Sequence, residues 1–265
     1  MPLRHYKSGL IVILALLIAS CATSPTGRSQ LMLVSEDQAI TYSRQAYIDT
    51  VADLNKEGKI VTDPAITKRV QTITDRLVAQ AGVMRPATRE WEWEVKVIDD
   101  PEQVNAWCMA GGKMAVYTGL LQKVKPTDDE LAQVMGHEIS HALANHTAER
   151  MSVAMATSLG LGVISAASNK PEQTAALGAL AATLAIELPN SRTSESEADR
   201  IGIELAAKAG YDPRAAVTLW QKMEQVGGAT PPEFLSTHPS PGNRQETLRK
   251  LADQMMPYYE RARVK

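Results

Sequence analysis

The residues best suited to chemistry are two histidines flanking a glutamate, His137-Glu138-Ile139-Ser140-His141, the pattern H-E-x-x-H. On a helix, His137 and His141 stand about 6 Å apart along the axis and roughly 40° apart in azimuth, so both imidazoles can reach one ion at about 2.0–2.1 Å. Glu138, roughly 100° round from His137, is placed to take a proton from a water held at that ion. A divalent metal lowers the pKa of such a water towards neutrality, which makes hydrolysis of a carbonyl compound the chemistry on offer. Two surface histidines on an amphipathic helix are the plain alternative.

The flanking residues predict the helix. Thr127 and Glu130 form a capping box, Pro126 stops what precedes, Asp128 and Asp129 suit a helix start, and Leu131, Val134, Met135 and Ile139 make an apolar stripe. Read as one continuous helix from Thr127 to Arg150, it turns His146 about 180° away from His137 and into solvent.

A catalytic zinc site takes three protein ligands and keeps one position open. The stretch Ser191-Arg192-Thr193-Ser194-Glu195-Ser196-Glu197-Ala198-Asp199 offers the third. As a helix it puts Glu195 and Asp199 on one face, about 40° apart, with Arg192 one turn back and Glu197 pointing elsewhere. One carboxylate could bind the metal while the other orients an imidazole N–H. Helix geometry alone does not choose Glu195 over Glu197, and exposed acids on an ordinary helix are the alternative. His238, in the loop Phe234-Leu235-Ser236-Thr237-His238-Pro239-Ser240-Pro241, has three open roles: stabilising an oxyanion, filling the fourth metal position and so blocking water, or a structural loop residue.

Other segments read as scaffold. Ser35 with Gln38 opens a helix ending near Gly58, and Asp63-Pro64 opens another that Gly82 should stop. Trp91, Trp93, Val95 and Val97 alternate with Glu92, Glu94 and Lys96 as a half-buried strand, and Lys113 to Thr118 makes a second. Gly111-Gly112 before it could mark an edge strand that pairs with an extended peptide, or a plain β-turn. Two Ala/Gly-rich apolar stretches, 153–167 and 174–188, are too short to span a bilayer; they read as a hairpin packed on the body, with dipping into a membrane surface as the rival.

The chain starts with Arg4 and Lys7, then an uncharged apolar run to Ser20, the parts of a secretory signal. Ile18-Ala19-Ser20-Cys21 resembles a bacterial lipobox, which implies a signal peptide at 1–20, lipid (palmitate) on Cys21, and a tether at 21–34 before a single domain at 35–265. Ala22, with no Asp there, points by the same resemblance to the outer membrane. Cys108 then has no intrachain partner and reads as a buried apolar residue. Loss of Arg4 and Lys7 takes the net charge from −2 to −4, which argues against nucleic acid as a partner.

Across most of residues 35–260 the chain resembles the HtpX/OMA-type zinc metallopeptidases of the gluzincin clan. The resemblance rests on H-E-x-x-H at 137–141, S-R-x-x-E-x-E-A-D at 191–199, Gly202 and Gly210-Tyr211-Asp212-Pro213. Asn105-Ala106, Gly111-Gly112, Thr118-Gly119-Leu120 and Thr237-His238-Pro239 add to it, while Ala110 departs from it where Pro is expected. With the lipobox, the chain is similar to LoiP-type outer-membrane lipoprotein peptidases. The resemblance implies one Zn²⁺ on His137, His141 and Glu195, with Glu138 as general base and Asp199 in support. It also implies protein substrates, among them misfolded or mis-assembled envelope proteins, on the periplasmic face, with envelope assembly or protease partners. The expected fold is a mostly helical α+β, gluzincin-like domain with a small sheet beside the H-E-x-x-H helix. A chaperone-like or scaffolding lipoprotein with a latent or structural metal is the alternative.

Overall fold

The computed structural model describes residues 21–160, 171–227, 232–239 and 242–264. The expected signal segment 1–20 and the break at 168–170 lie outside them. The capping signals hold: Ser35 and Gln38 close the box that opens α1 (Glu36–Lys56), and Asp63 caps α2 (Pro64–Met84) with Pro64 in its first turn. Gly82 does not stop α2. It stays helical, its carbonyl accepting from Arg89 Nε at 2.9 Å, and the helix ends two residues later.

A three-stranded sheet follows, with β3 (Glu94–Ile98), β4 (Ala106–Met109) and β5 (Lys113–Tyr117) in the order β3-β5-β4. β3 runs parallel to β5 and β4 antiparallel to it. The strand expected from Trp91 begins only at Glu94, because Trp91 N–H is taken by Thr88 at the end of a 3₁₀ turn. β5 is thus the central strand, which overturns its reading as a docking edge: both its sides are already paired. Gly111 and Gly112 form the β4–β5 turn in left-handed conformation (φ 81° and 82°), and a Cβ on Gly112 would lie 2.4 Å from the Trp93 ring.

Thr127 and Glu130 close the predicted box and start α3 (Asp128–Leu143). The helix does not reach Arg150. Asn145 takes a left-handed conformation (φ 56°), which asparagine tolerates better than most residues, and α4 (His146–Gly160) sets off anew. α5 (Pro171–Ala182) passes through a π turn at Thr183–Glu187 and lies across α1. Ala181 and Leu184 of the second apolar stretch are buried there against Val34 and Ala39, and Met155 of the first packs partly buried on the same cluster, while Val153 is exposed. Among the described residues no helix is long and apolar enough to cross a membrane.

Ser191 caps α6 (Arg192–Lys208), and α7 (Ala215–Gly227), the short α8 (Glu233–Thr237) and α9 (Arg244–Arg263) complete the fold. α3 is buried along nearly its whole length and packs most extensively on α6. The two meet at Gly136 and Gly202, where a Cβ on Gly202 would fall 2.8 Å from His137 N and 2.9 Å from its Cα. That near-contact of backbones brings the H-E-x-x-H helix and the E-x-E-A-D helix to one site. Leu131, Val134, Met135 and Ile139 fill the core around them, and Cys108 is buried and free as expected.

The stretch read as a tether is docked instead. β1 (Cys21–Thr23) and β2 (Ser29–Leu31) pair as an antiparallel hairpin. Arg28 reaches Glu149 with both Nη atoms at 2.6 Å, and the buried Gln30 donates to Ala144 O at 2.8 Å. The Arg28–Glu149 bonds are charge-assisted, roughly twice as strong as neutral ones, and with Gln30 they hold the segment to the body.

Candidate metal centre

Helix α3 supplies His137, Glu138 and His141, α6 supplies Glu195 and Asp199, and the residue closing α8 supplies His238; all six are buried. His137 Nε2 lies 3.1 Å from His141 Nε2 and 3.3 Å from His238 Nδ1. Glu195 Oε1 is 3.3 Å from His141 Nε2 and 3.0 Å from His238 Nδ1, and Glu195 Oε2 is 3.3 Å from His137 Nε2. One donor atom from each of His137, His141, Glu195 and His238 falls within 4.8 Å of every other. Four ligands held tetrahedrally at about 2.0–2.1 Å from one ion would stand about 3.3 Å apart, so the donor set fits a zinc-sized cation. Imidazole nitrogens this close also need a proton or a cation between them.

The charges follow from burial and neighbours. Burial opposes protonation of His137, but Glu195 and Asp199 outweigh it and raise it from 6.5 to about 9. Burial would likewise raise Glu195, yet His238 and His137 hold it well below the usual carboxylate range. His141 is pushed well below its ordinary value, by burial first, with His137 and His146 adding to it against Glu195. Glu138 goes the other way: burial pushes it up, and His238 and His137 offset this only in part. Its Oε1 has no hydrogen-bond partner among the described residues and sits 3.5 Å from His238 Nε2. A buried carboxylate oxygen left free beside the donor cluster is a proton acceptor in waiting.

Support comes from two sides. Asp199 Oδ1 is 3.1 Å from His137 Nδ1, within ion-pair distance though not aligned as a hydrogen bond, and Arg244 Nη2 donates to the same oxygen at 2.6 Å. Arg192, expected beside Asp199, is exposed in the first turn of α6; Arg244 takes that place, lying 3.6 Å over the Trp220 ring and 3.4 Å from Glu195. Its signal in the sequence is faint: a cation in the first turn of a helix, where the dipole disfavours one. His238 stacks on Phe234 with centroids 4.3 Å apart, and one of its ring nitrogens lies among the donors of the cluster.

The expectation for His146 is overturned. With α3 ended at Leu143 and the chain turned at Asn145, His146 folds back, buried, with Nδ1 2.8 Å from His141 Nδ1 and Nε2 3.2 Å from Glu197 Oε2. Glu197 does point away from the cluster, as helix geometry predicts, but into this buried network. Asn145 is the signal that would have revealed the turn.

The model of Peptidase family M48 matches residues 64–252. The chain is 37% identical over 202 residues to the mitochondrial metalloendopeptidase OMA1 of Arabidopsis thaliana, covering 76% of this chain and 39% of that one. It is 36% identical over 243 residues to the mitochondrial metalloendopeptidase OMA1 of Bos taurus, covering 87% and 46%. It is 29% identical over 216 residues to the β-barrel assembly-enhancing protease of Escherichia coli K12, covering 78% and 43%. The chain therefore spans under half the length of each of these relatives. With the family model covering most of the chain and His137, His141, Glu195 and His238 gathered into one buried cluster, the chain belongs to peptidase family M48.

Proposed function

We propose that this chain is a zinc-dependent endopeptidase holding one Zn²⁺ through His137, His141 and Glu195. The observation that carries the reading is the buried donor cluster with the unpartnered Glu138 Oε1 beside it. When bound, zinc supplies Lewis acidity, polarising a peptide carbonyl and making water more acidic. Glu138 takes the proton of the attacking water at Oε1 and delivers it to the leaving amine nitrogen. Asp199, fixed by Arg244, sets a negative charge 3.1 Å from His137 Nδ1, while Nε2 of the same ring lies among the cluster donors.

His238 fills the fourth corner in this conformation, with Nδ1 among the donors. The resting site is then closed, and substrate entry requires His238 to withdraw. That position favours latency over a standing oxyanion role, and it is also what a chaperone-like lipoprotein with a structural metal would show. Glu138→Gln separates the two. Hydrolysis of an unfolded protein should disappear with metal content unchanged, whereas persistence of hydrolysis would overturn the mechanism, and a chaperone or scaffold activity would survive the change. At saturating zinc, Glu195→Gln should lose the ion and Glu197→Gln keep it; the reverse would overturn the ligand assignment.

The setting completes the proposal: residues 1–20 as a signal peptide, lipid on Cys21, and the domain facing the periplasm from the outer membrane. Relatives named for β-barrel assembly support substrates among misfolded or mis-assembled envelope proteins, and assembly-machinery partners. Mass spectrometry of the mature N-terminus tests the anchor, an unacylated residue at the mature start counting against it.

A further inference from the structure

The buried network behind His141 has a direction fixed by hydrogen-bond chemistry. Glu197 is saturated: Oε1 accepts from Thr26 Oγ1 at 2.6 Å, and Oε2 from Arg28 Nε at 3.0 Å, with His146 Nε2 at 3.2 Å. An ionised carboxylate only accepts, so His146 carries a proton on Nε2, and in its neutral form it presents a bare Nδ1. His141 Nδ1, 2.8 Å away, then has to be the donor. That leaves the lone pair of His141 on Nε2, the atom lying among the metal donors. Each link depends on the one before, and the first is held by two residues of the N-terminal hairpin.

We propose that Glu197 and His146 are positioning residues that set the tautomer of His141, and that the hairpin, through Thr26 and Arg28, is a working part of the metal site. The inference rests on the reading of His141 as a ligand and goes beyond it, since none of these four residues touches the metal donors' centre. A glutamine at 197 could offer its amide N–H to His146 Nε2. The chain would then run backwards, and His141, protonated on Nε2, would have to shift that proton before the nitrogen could bind an ion.

The test uses the whole chain, with Zn²⁺ affinity from chelator competition and the visible spectrum of the Co²⁺-loaded protein. Glu197→Gln should bind one ion about 10–100-fold more weakly and shift the Co²⁺ bands, as loss of a group that orients a ligand does. The paired change Thr26→Val with Arg28→Ala should move both readouts the same way by a smaller factor, and Arg28→Lys with Thr26 intact should recover most of the loss. A folded Glu197→Gln chain with unaltered affinity and spectrum would overturn the proposal. So would weaker binding with an unchanged spectrum and an equal drop in the stability of the metal-free chain, which is general loosening. If the unaltered chain binds no Zn²⁺ at all, it is the ligand assignment that fails instead.

Discussion

Glu130 and Glu138 sit two turns apart on α3, each 3% exposed, and their carboxyls are driven in opposite directions. Burial would raise Glu130, but Lys222 Nζ at 2.6 Å, Thr127 N at 2.8 Å and Thr218 Oγ1 at 2.8 Å reverse the effect and hold it below its ordinary value. Glu138 has no such set of partners, and burial raises it. Burial makes a carboxylate costly at both ends of the helix; only the partners decide whether it is a structural anchor or a base with a free oxygen. One end of α3 is satisfied to hold the fold, and the other is left unsatisfied beside the proposed metal.

The contrast can be attacked at several points. Glu138→Gln should lower turnover of an unfolded protein by about 10²–10⁴-fold while unfolding no earlier than the unaltered chain; chemical denaturation beside a proteolysis assay reads both. Gly202→Ala pushes a methyl into the backbone of His137 and should cost about 1–3 kcal/mol by overpacking. It should also weaken zinc binding, since it displaces a ligand and not merely the core.

Glu130→Gln should do the reverse of Glu138→Gln, costing about 1–3 kcal/mol of stability and leaving turnover per folded molecule unchanged. The Glu130 carboxyl is depressed in the folded chain, so its stabilisation is present above its ordinary value of 4.5 and is lost as pH falls through the folded value. Denaturation curves of the two chains should therefore separate at neutral pH and converge in acid. Thr127→Ala removes the reciprocal bond at the same helix end and should cost about 1 kcal/mol; an activity loss larger than the stability loss would blur the division between the two ends.

What could be read from the sequence was local. Thr127 with Glu130, Ser35 with Gln38 and Asp63-Pro64 announce helix starts because a cap is made within a few residues. Helical spacing puts His137 with His141, and Glu195 with Asp199, on shared faces, while the choice of Glu195 over Glu197 rests on the family resemblance. Arg244 was not legible, since it meets Asp199 across 45 residues, and Arg28 meets Glu197 across 169. The order β3-β5-β4 is likewise a tertiary choice that the residues of β5 alone cannot encode. Asn145 lies between these cases: the break it makes is local, but the reading of one continuous helix from Thr127 to Arg150 passes over it.

The docked hairpin bears on where the enzyme could act. With lipid on Cys21, as proposed, only Ala22 and Thr23 separate the anchor from the buried Ser24. Fully extended, that is a leash of about 10 Å, against several times that length had residues 21–34 been loose. The search volume would then be a thin layer at the membrane surface, with substrates embedded there met at high effective concentration and those free in the aqueous space met seldom.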